Sequence, residues 1–433
     1  MLSDTLAALL KRRNIHYGWV VAGTTFLVML ATAGAMGSAG VLIQPLEKEF
    51  GWTTEQISSA FAVRLVFFGL LGPFAAAFMN HFGLRKVVTA ALLVIGVGVG
   101  LTLLMRDLWQ LMVLWGFVIG IGTGMTALVL GATVASRWFD KRRGLVVGMM
   151  TASNATGQLI FLPLLASLSE TIGWRAALTF VVVILAVAFV LAALFLRDNP
   201  ADLGLPVYGR TAVTPVPRSN RPLIELLTTP LATLREASRT RVFWVLFATF
   251  FVCGFSTNGL IQQHWISICG DVGITPTGAA GYLALIGAFD FVGTIFSGWL
   301  SDRYDNRYLL LAYYGLRGLS LVYLPYSGFS LLTLTGFAVF YGLDWVATVP
   351  PTVKLTAARF GPEKAGLVFG WVFAGHQLGA ASAAFLAGAV RTGTQSYYPA
   401  ILLAGIFCLF AAMLILSIGK KPVGGAAVAP ATV

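Results

Sequence analysis

Twelve long apolar runs, parted by short polar breaks, leave this chain few ways to fold. They fall at about 16–44, 54–79, 86–105, 108–136, 143–169 and 173–196, then at about 239–268, 276–301, 307–326, 329–358, 363–390 and 396–418. About 20 residues at about 1.5 Å each cross about 30 Å of hydrocarbon. A bilayer core offers no water to bare backbone groups, so a continuous apolar run must be a helix; the strands of a barrel would alternate instead. Only 11% of residues are charged and mean hydropathy is +0.83, where soluble domains carry about a quarter charged residues. The expected class is therefore an all-α membrane protein with twelve transmembrane helices in two pseudo-symmetric six-helix bundles.

The net charge of +12 does not point to nucleic acid, because the bases sit in clusters between the apolar runs. Lys11–Arg13, Arg85/Lys86, Lys141–Arg143, the long segment after the sixth run, Arg303/Arg307, Arg359/Lys364 and Lys420/Lys421 alternate with loops carrying Glu47, Glu49, Glu55, Asp107, Glu170 and Asp271. Arg391 is the exception. The positive-inside rule then puts both termini in the cytoplasm of a multi-pass protein of the inner or plasma membrane. The even number of runs requires the same.

Residues 1–15 read as an amphipathic lead lying on the cytoplasmic surface. A first bundle over 16–196 is followed by a cytoplasmic linker at 197–238, which holds six prolines and makes a poor core. The second bundle takes 239–418 and a tail 419–433. The three cysteines, Cys253, Cys269 and Cys408, are dispersed, with no metal-ligand spacing. Gly96, Gly98 and Gly100 have no lysine after them and do not make a phosphate loop. No cofactor or metal is expected, and the chain reads as a non-enzyme.

The halves repeat. Adding 222 to Arg137, Gly144, Leu145, Val146, Gly148, Ala152 and Gly157 gives Arg359, Gly366, Leu367, Val368, Gly370, Ala374 and Gly379. The same offset pairs Asn80 with Asp302. Two related halves place the expected ligand site between them, near mid-membrane.

Gly298-Trp299-Leu300-Ser301-Asp302-Arg303-Tyr304, with Arg307, resembles the G-x-x-x-D-R loop signature of the major facilitator superfamily. The first-half copy, Asn80-His81-Phe82-Gly83-Leu84-Arg85-Lys86, lacks the acid, and Ala76 replaces the glycine. The resemblance covers about 400 residues. Arg137–Gly148 is similar to the fourth-to-fifth span signature of the monocarboxylate-porter and oxalate/formate-porter branch. Tyr17–Val21 resembles the other signature of that branch, and Gly40–Trp52 its first loop. The resemblance implies the major facilitator fold and gating loops at Asp302, Arg303, Arg307, Arg142 and Arg143, where the loop carboxylate pairs with bases and releases them as the transporter changes state. It also implies an eighth-span aspartate followed four residues later by a substrate-binding arginine. Phe289-Asp290 matches, but Thr294 stands in the arginine's place, and Gly37 replaces a first-span lysine.

Asp290 is the residue to weigh, since a charge at mid-span costs about 2.5–3.5 kcal/mol on insertion scales. It reads as a carboxyl that gains and loses a proton, or as one side of a static ion pair with Arg317. Arg64, about ten residues into the second run, is placed to grip a carboxylate in the absent arginine's stead. Its plain alternatives are snorkelling and a bond to a backbone carbonyl. Asp344, ahead of Pro350-Pro351, is a second proton-handling candidate on a helix that the prolines bend. Asn154, Gln158, Thr294, His376 and Gln377 complete the substrate-binding set. Asn258, Gln262, Gln263 and His264 read as polar groups at the outer interface. Gly116/Gly120/Gly124, Gly144/Gly148 and Gly366/Gly370 read as helix-packing faces.

The function expected from these residues is secondary active transport of a small organic anion, a monocarboxylate, coupled to protons by alternating access, in a protein working as a monomer in the lipid bilayer. The alternative is a proton-driven exporter of an apolar compound. A transport-inactive sensor or scaffold is the third reading.

Overall fold

The computed structural model describes residues 2–126, 128–213 and 223–419. These are helical apart from short connections and one isolated bridge, Phe139 to Tyr208. A surface helix, α1 (Leu2–Arg12), precedes six spans: α2 (Gly18–Phe50), α3 (Thr54–Phe82), α4 (Leu84–Thr102), α5 (Leu108–Trp138), α6 (Arg143–Ile172) and α7 (Trp174–Phe195). After α8 (Leu223–Ala237) come α9 (Arg241–Gly270), α10 (Pro276–Ser301), α11 (Asn306–Tyr323), α12 (Leu331–Phe360), α13 (Pro362–Thr394) and α14 (Tyr398–Ile415). Nine of the described helices are long and apolar enough to cross a membrane. The long helices α6, α11 and α13 bring the spans to twelve.

Local chemistry sets the boundaries. Thr53 and Gln56 form a reciprocal capping box at the start of α3, while Thr240, Thr275 and Ser330 cap α9, α10 and α12. The turn between α3 and α4 rests on Gly83, at φ 92°, where a side chain would also collide with the Asp198 carboxylate.

Within each half, helices meet backbone to backbone at glycines: Gly254 and Gly379 join α9 to α13, and Gly293 and Gly342 join α10 to α12. Gly116, Gly120 and Gly124 of α5 lie on α3 as their spacing suggests. Gly144, Gly148 and Gly366 instead face open space, so small-residue spacing over-predicts packing there. Between halves, α3 runs along α13, α6 packs on α10, and α2 meets the end of α9.

The segment after α7 is more ordered than its prolines suggest. Tyr208 donates its N–H to the Trp138 carbonyl at 2.9 Å and accepts from the Asp140 N–H at 2.9 Å. His16 meets the Pro206 carbonyl at 2.9 Å, and Arg210 pairs with Asp140 at 3.3 Å. Helix α8 touches both α3 and α13; Trp371 donates to the Pro230 carbonyl at 2.8 Å and Lys364 pairs with Glu236 at 2.6 Å. The linker thus lies across the ends of both halves.

A Cβ at Gly379 would press into the backbone of Phe251, whereas one at Gly281 meets nothing. Gly379→Ala should therefore cost about 1–3 kcal/mol of stability, read as a lower melting temperature in detergent, and Gly281→Ala should leave it unchanged.

Candidate functional site

The tenth span is not one helix. It breaks between Asp344 and Val349, just before Pro350-Pro351, and the break strands backbone groups inside the bundle. Neighbouring helices cap several of them. Asp290 of α10 accepts the Val346 N–H at 3.0 Å, and Thr294 donates to the same carboxylate oxygen at 2.9 Å. Ser297, also on α10, donates to the Ala347 carbonyl at 2.5 Å. Arg317 of α11 donates through Nη2 to the carbonyls of Asp344 (2.5 Å) and Trp345 (3.1 Å).

Arg317 also forms a buried ion pair with Asp344, Nε to Oδ2 at 2.6 Å, and reaches the Cys253 sulfur at 3.0 Å. The partner anticipated for Asp290 is thus taken by Asp344. The reason is geometric: Arg317 faces the carbonyl side of the break, and Asp290 the N–H side. Asp344 is locked in that pair, and Asp290 is half-buried against α12.

Arg64 is different. It is 1% exposed, donates one Nη1–H to the Met36 carbonyl of α2 at 3.0 Å, and lies 6.0 Å from the Phe61 ring and 5.7 Å from the Trp115 ring. Among the described residues no carboxylate is within ion-pair distance, and its Nε–H has no partner. It does not snorkel. Its backbone contact uses one of five donors, which leaves the charge unmatched.

His376 and Gln377 are buried on α13. They contact each other at 3.2 Å; Gln377 sits against Gly69 of α3, whereas His376 faces α9, beside Gly254 and between the Phe250 and Phe373 rings. Thr294 spends its hydroxyl on Asp290. The side chains of Asn154 and Gln158, although on α6, lie outside the described residues, as does the tail beyond Gly419. Gln263 and His264 are not interfacial: His264 is fully buried, with the Ala384 carbonyl at 2.8 Å and the Tyr397 hydroxyl at 3.2 Å.

The loops hold both ends. Asp302 pairs with Lys354 of α12, a partner the loop motif does not reveal, while Arg303 lies 4.1 Å over the Trp299 ring and Arg307 pairs with Asp305 and the Ile418 carbonyl. The Lys354 ammonium holds the Asp302 carboxyl below the usual carboxylate range. A depressed pKa makes this tie's contribution complete above the ordinary value of about 4 and lost as pH falls through the lowered one.

In the degraded copy, Arg137 donates to Asn80 at 2.5 Å and to the Asp198 carbonyl at 3.4 Å, and the Asp198 carboxylate takes the Arg85 N–H at 2.9 Å. Its repeat mate Arg359 likewise reaches the Gly419 carbonyl, so both halves tie the fourth span of the half to the end of the sixth. Arg143 bonds the Phe139 carbonyl at 3.1 Å, and Arg142 takes a left-handed conformation at φ 62°.

At this linker end a cavity of about 970 Å³ opens between α3, α5, α8 and α13, lined by Pro73, Asn80, Arg137, Asp198, Pro230 and Leu367. At the opposite end the halves are tied. Thr277 donates to Glu170, the Glu55 N–H donates to Thr392 at 3.2 Å, and Gly40 abuts the carbonyls of Gln262 and Gln263.

The family profile described as Major Facilitator Superfamily matches residues 24–343 and, in an overlapping second match, 265–431. The chain is 23% identical over 408 residues to an uncharacterized MFS-type transporter, YcxA, of Bacillus subtilis (strain 168), covering 93% of this chain and 95% of that protein. It is 25% identical over 395 residues to monocarboxylate transporter 13 of Rattus norvegicus, covering 91% and 87%. With monocarboxylate transporter 11 of Mus musculus it shares 28% over 292 residues, covering 66% of this chain and 60% of that protein.

The two fully buried arginines, Arg64 and Arg317, should answer mutation oppositely. Arg317→Met strands Asp344 and two carbonyls, and should cost about 3–5 kcal/mol; adding Asp344→Leu should restore part of it. Arg64→Met removes a charge with no counter-ion, and should leave the melting temperature unchanged or raise it.

Proposed function

Since the chain belongs to the Major Facilitator Superfamily, a family of membrane transporters, we propose that it carries a small monocarboxylate with a proton by alternating access, as a monomer and not as an enzyme. The observation that carries this reading is Arg64: a guanidinium buried in the bundle with no carboxylate in ion-pair distance among the described residues. Such a charge is expensive in an apolar interior, and it is neutralised when a substrate anion arrives. Among the described residues, the fully buried cations favour one carboxylate over two, because Arg317 is already matched by Asp344. The names of the mouse and rat relatives agree with that charge count.

The two bundles, 16–196 and 239–418, rock about the site, with Asn154, Gln158, His376 and Gln377 as its polar lining. The linker end, which holds the cavity and the basic loops, is assigned to the cytoplasm together with both termini, so the conformation is inward-facing. Asp302, Arg303, Arg307, Arg142 and Arg143 are its gating loops.

Asp290 is the proton site. A proton on its carboxyl weakens the acceptor holding the Val346 N–H, so protonation and movement of the α12 break meet at one atom pair. Asp344, locked to Arg317, supports that hinge in place of a second proton site. Anion and proton together cancel the charges of Arg64 and Asp290, which lets the loaded transporter rock more readily than the half-loaded one.

Reconstituted protein should take up radiolabelled lactate or another short monocarboxylate when a pH gradient is imposed. Arg64→Ala should abolish uptake, and Asp290→Asn should retain exchange at equal pH while losing gradient-driven accumulation. Full accumulation by Asp290→Asn would rule out this proton site.

A further inference from the structure

We propose that Trp115 is the second donor of a carboxylate subsite inside the first six helices, with Arg64 as its charged partner; this rests on the anion-transport reading and deepens it. Trp115 is fully buried, and its indole N–H has no acceptor among the described residues. The Arg64 guanidinium lies 5.7 Å from its ring, with an unpartnered Nε–H of its own.

Three other indoles have acceptors: Trp265 donates to the Ala279 carbonyl at 3.1 Å, Trp371 to the Pro230 carbonyl at 2.8 Å and Trp174 to Glu49 at 2.7 Å. Trp138 also lacks an acceptor, but among the described residues no guanidinium stands over its ring. Among the described residues Trp115 is a fully buried indole that combines a bare donor with a guanidinium lacking a carboxylate partner.

The backbone around it is unusual as well. Met112–Ile119 of α5 is π-helical, a widening that inserts an extra residue into the turn and is frequent at functional positions. The stretch carries Trp115 beside Gly116, where α5 touches Val63 of α3. Phe61 packs edge-on against the indole at 5.2 Å, so the donors are walled by aromatic faces.

Two N–H donors, one of them charged, suit the two oxygens of a single carboxylate. A neutral amide offers only one acceptor oxygen and no charge. A dianion would bury a second charge with no cation left to meet it. The class of ligand is therefore a monoanionic carboxylate.

The test uses full-length protein in detergent, labelled with ¹⁵N at the indole nitrogens and titrated with sodium lactate, with lactamide as the neutral control. The chain has eleven tryptophans. One indole N–H resonance should move downfield and saturate with lactate, stay put with lactamide, and be missing in Trp115→Phe. Calorimetry should show lactate binding weakened about tenfold or more in Trp115→Phe, the loss expected for a charge-assisted hydrogen bond. Should Trp115→Phe fail to fold, the wild-type titration still decides, because the lactate-induced shift must vanish in Arg64→Ala. If lactate binds and Arg64→Ala abolishes binding while no indole resonance moves, Trp115 is not a donor, though the anion-transport reading survives. If wild-type protein binds neither lactate, acetate nor butyrate, both fall together.

Discussion

A charge inside a bilayer has to be answered by something, and this protein answers its two fully buried arginines in opposite ways. Arg317 is met by Asp344, by two backbone carbonyls and by a thiol, all from helices of its own half. Arg64 is met by one carbonyl and two aromatic faces. The first arrangement pairs the charge and holds a broken helix in shape. The second is incomplete, and an incomplete buried site is where a ligand's charge has the most to contribute.

That asymmetry divides labour between the halves. The second half contains the broken helix: a span interrupted at mid-membrane, with prolines after the break and caps donated from α10 and α11. Each cap satisfies a backbone group that hydrocarbon would leave bare, so the break is a defined joint and not a loose one. The first half contains the charge that waits for a partner. With Arg64 contacts confined to α2, α3 and α5, and Asp290 contacts to α10 and α12, anion and proton would act on different bundles. In the proposed cycle, coupling would pass through the interface where α3 lies along α13 and α6 along α10.

The two ends of the molecule tell the same story through short polar contacts. Glycines and hydroxyls tie the halves away from the linker, and the linker end carries the cavity. There, α8 and residues 206–210 lie on the loops that the signatures occupy, so the segment that joins the halves also braces them. Asp198 takes a backbone N–H in the first-half loop that lost its own acid. An acid supplied from the end of α7 stands in for one missing from the end of α3.

The sequence alone determined the number of spans, the repeat of the halves and the family, because continuous apolar length and loop motifs are local properties of a chain. It also singled out Arg64, Asp290, Arg317 and Asp344, because a charge within an apolar run is visible without coordinates. Tertiary structure decided who meets whom. Arg317 chose Asp344 over Asp290 because of which side of the α12 break each helix faces, and residue spacing cannot specify an angle between helices. The burial of His264, the pairing of Asp302 with Lys354, the helix within the linker and the bare indole of Trp115 were equally hidden. Each depends on a partner far away in sequence, and only the packed bundle brings such partners within hydrogen-bonding reach.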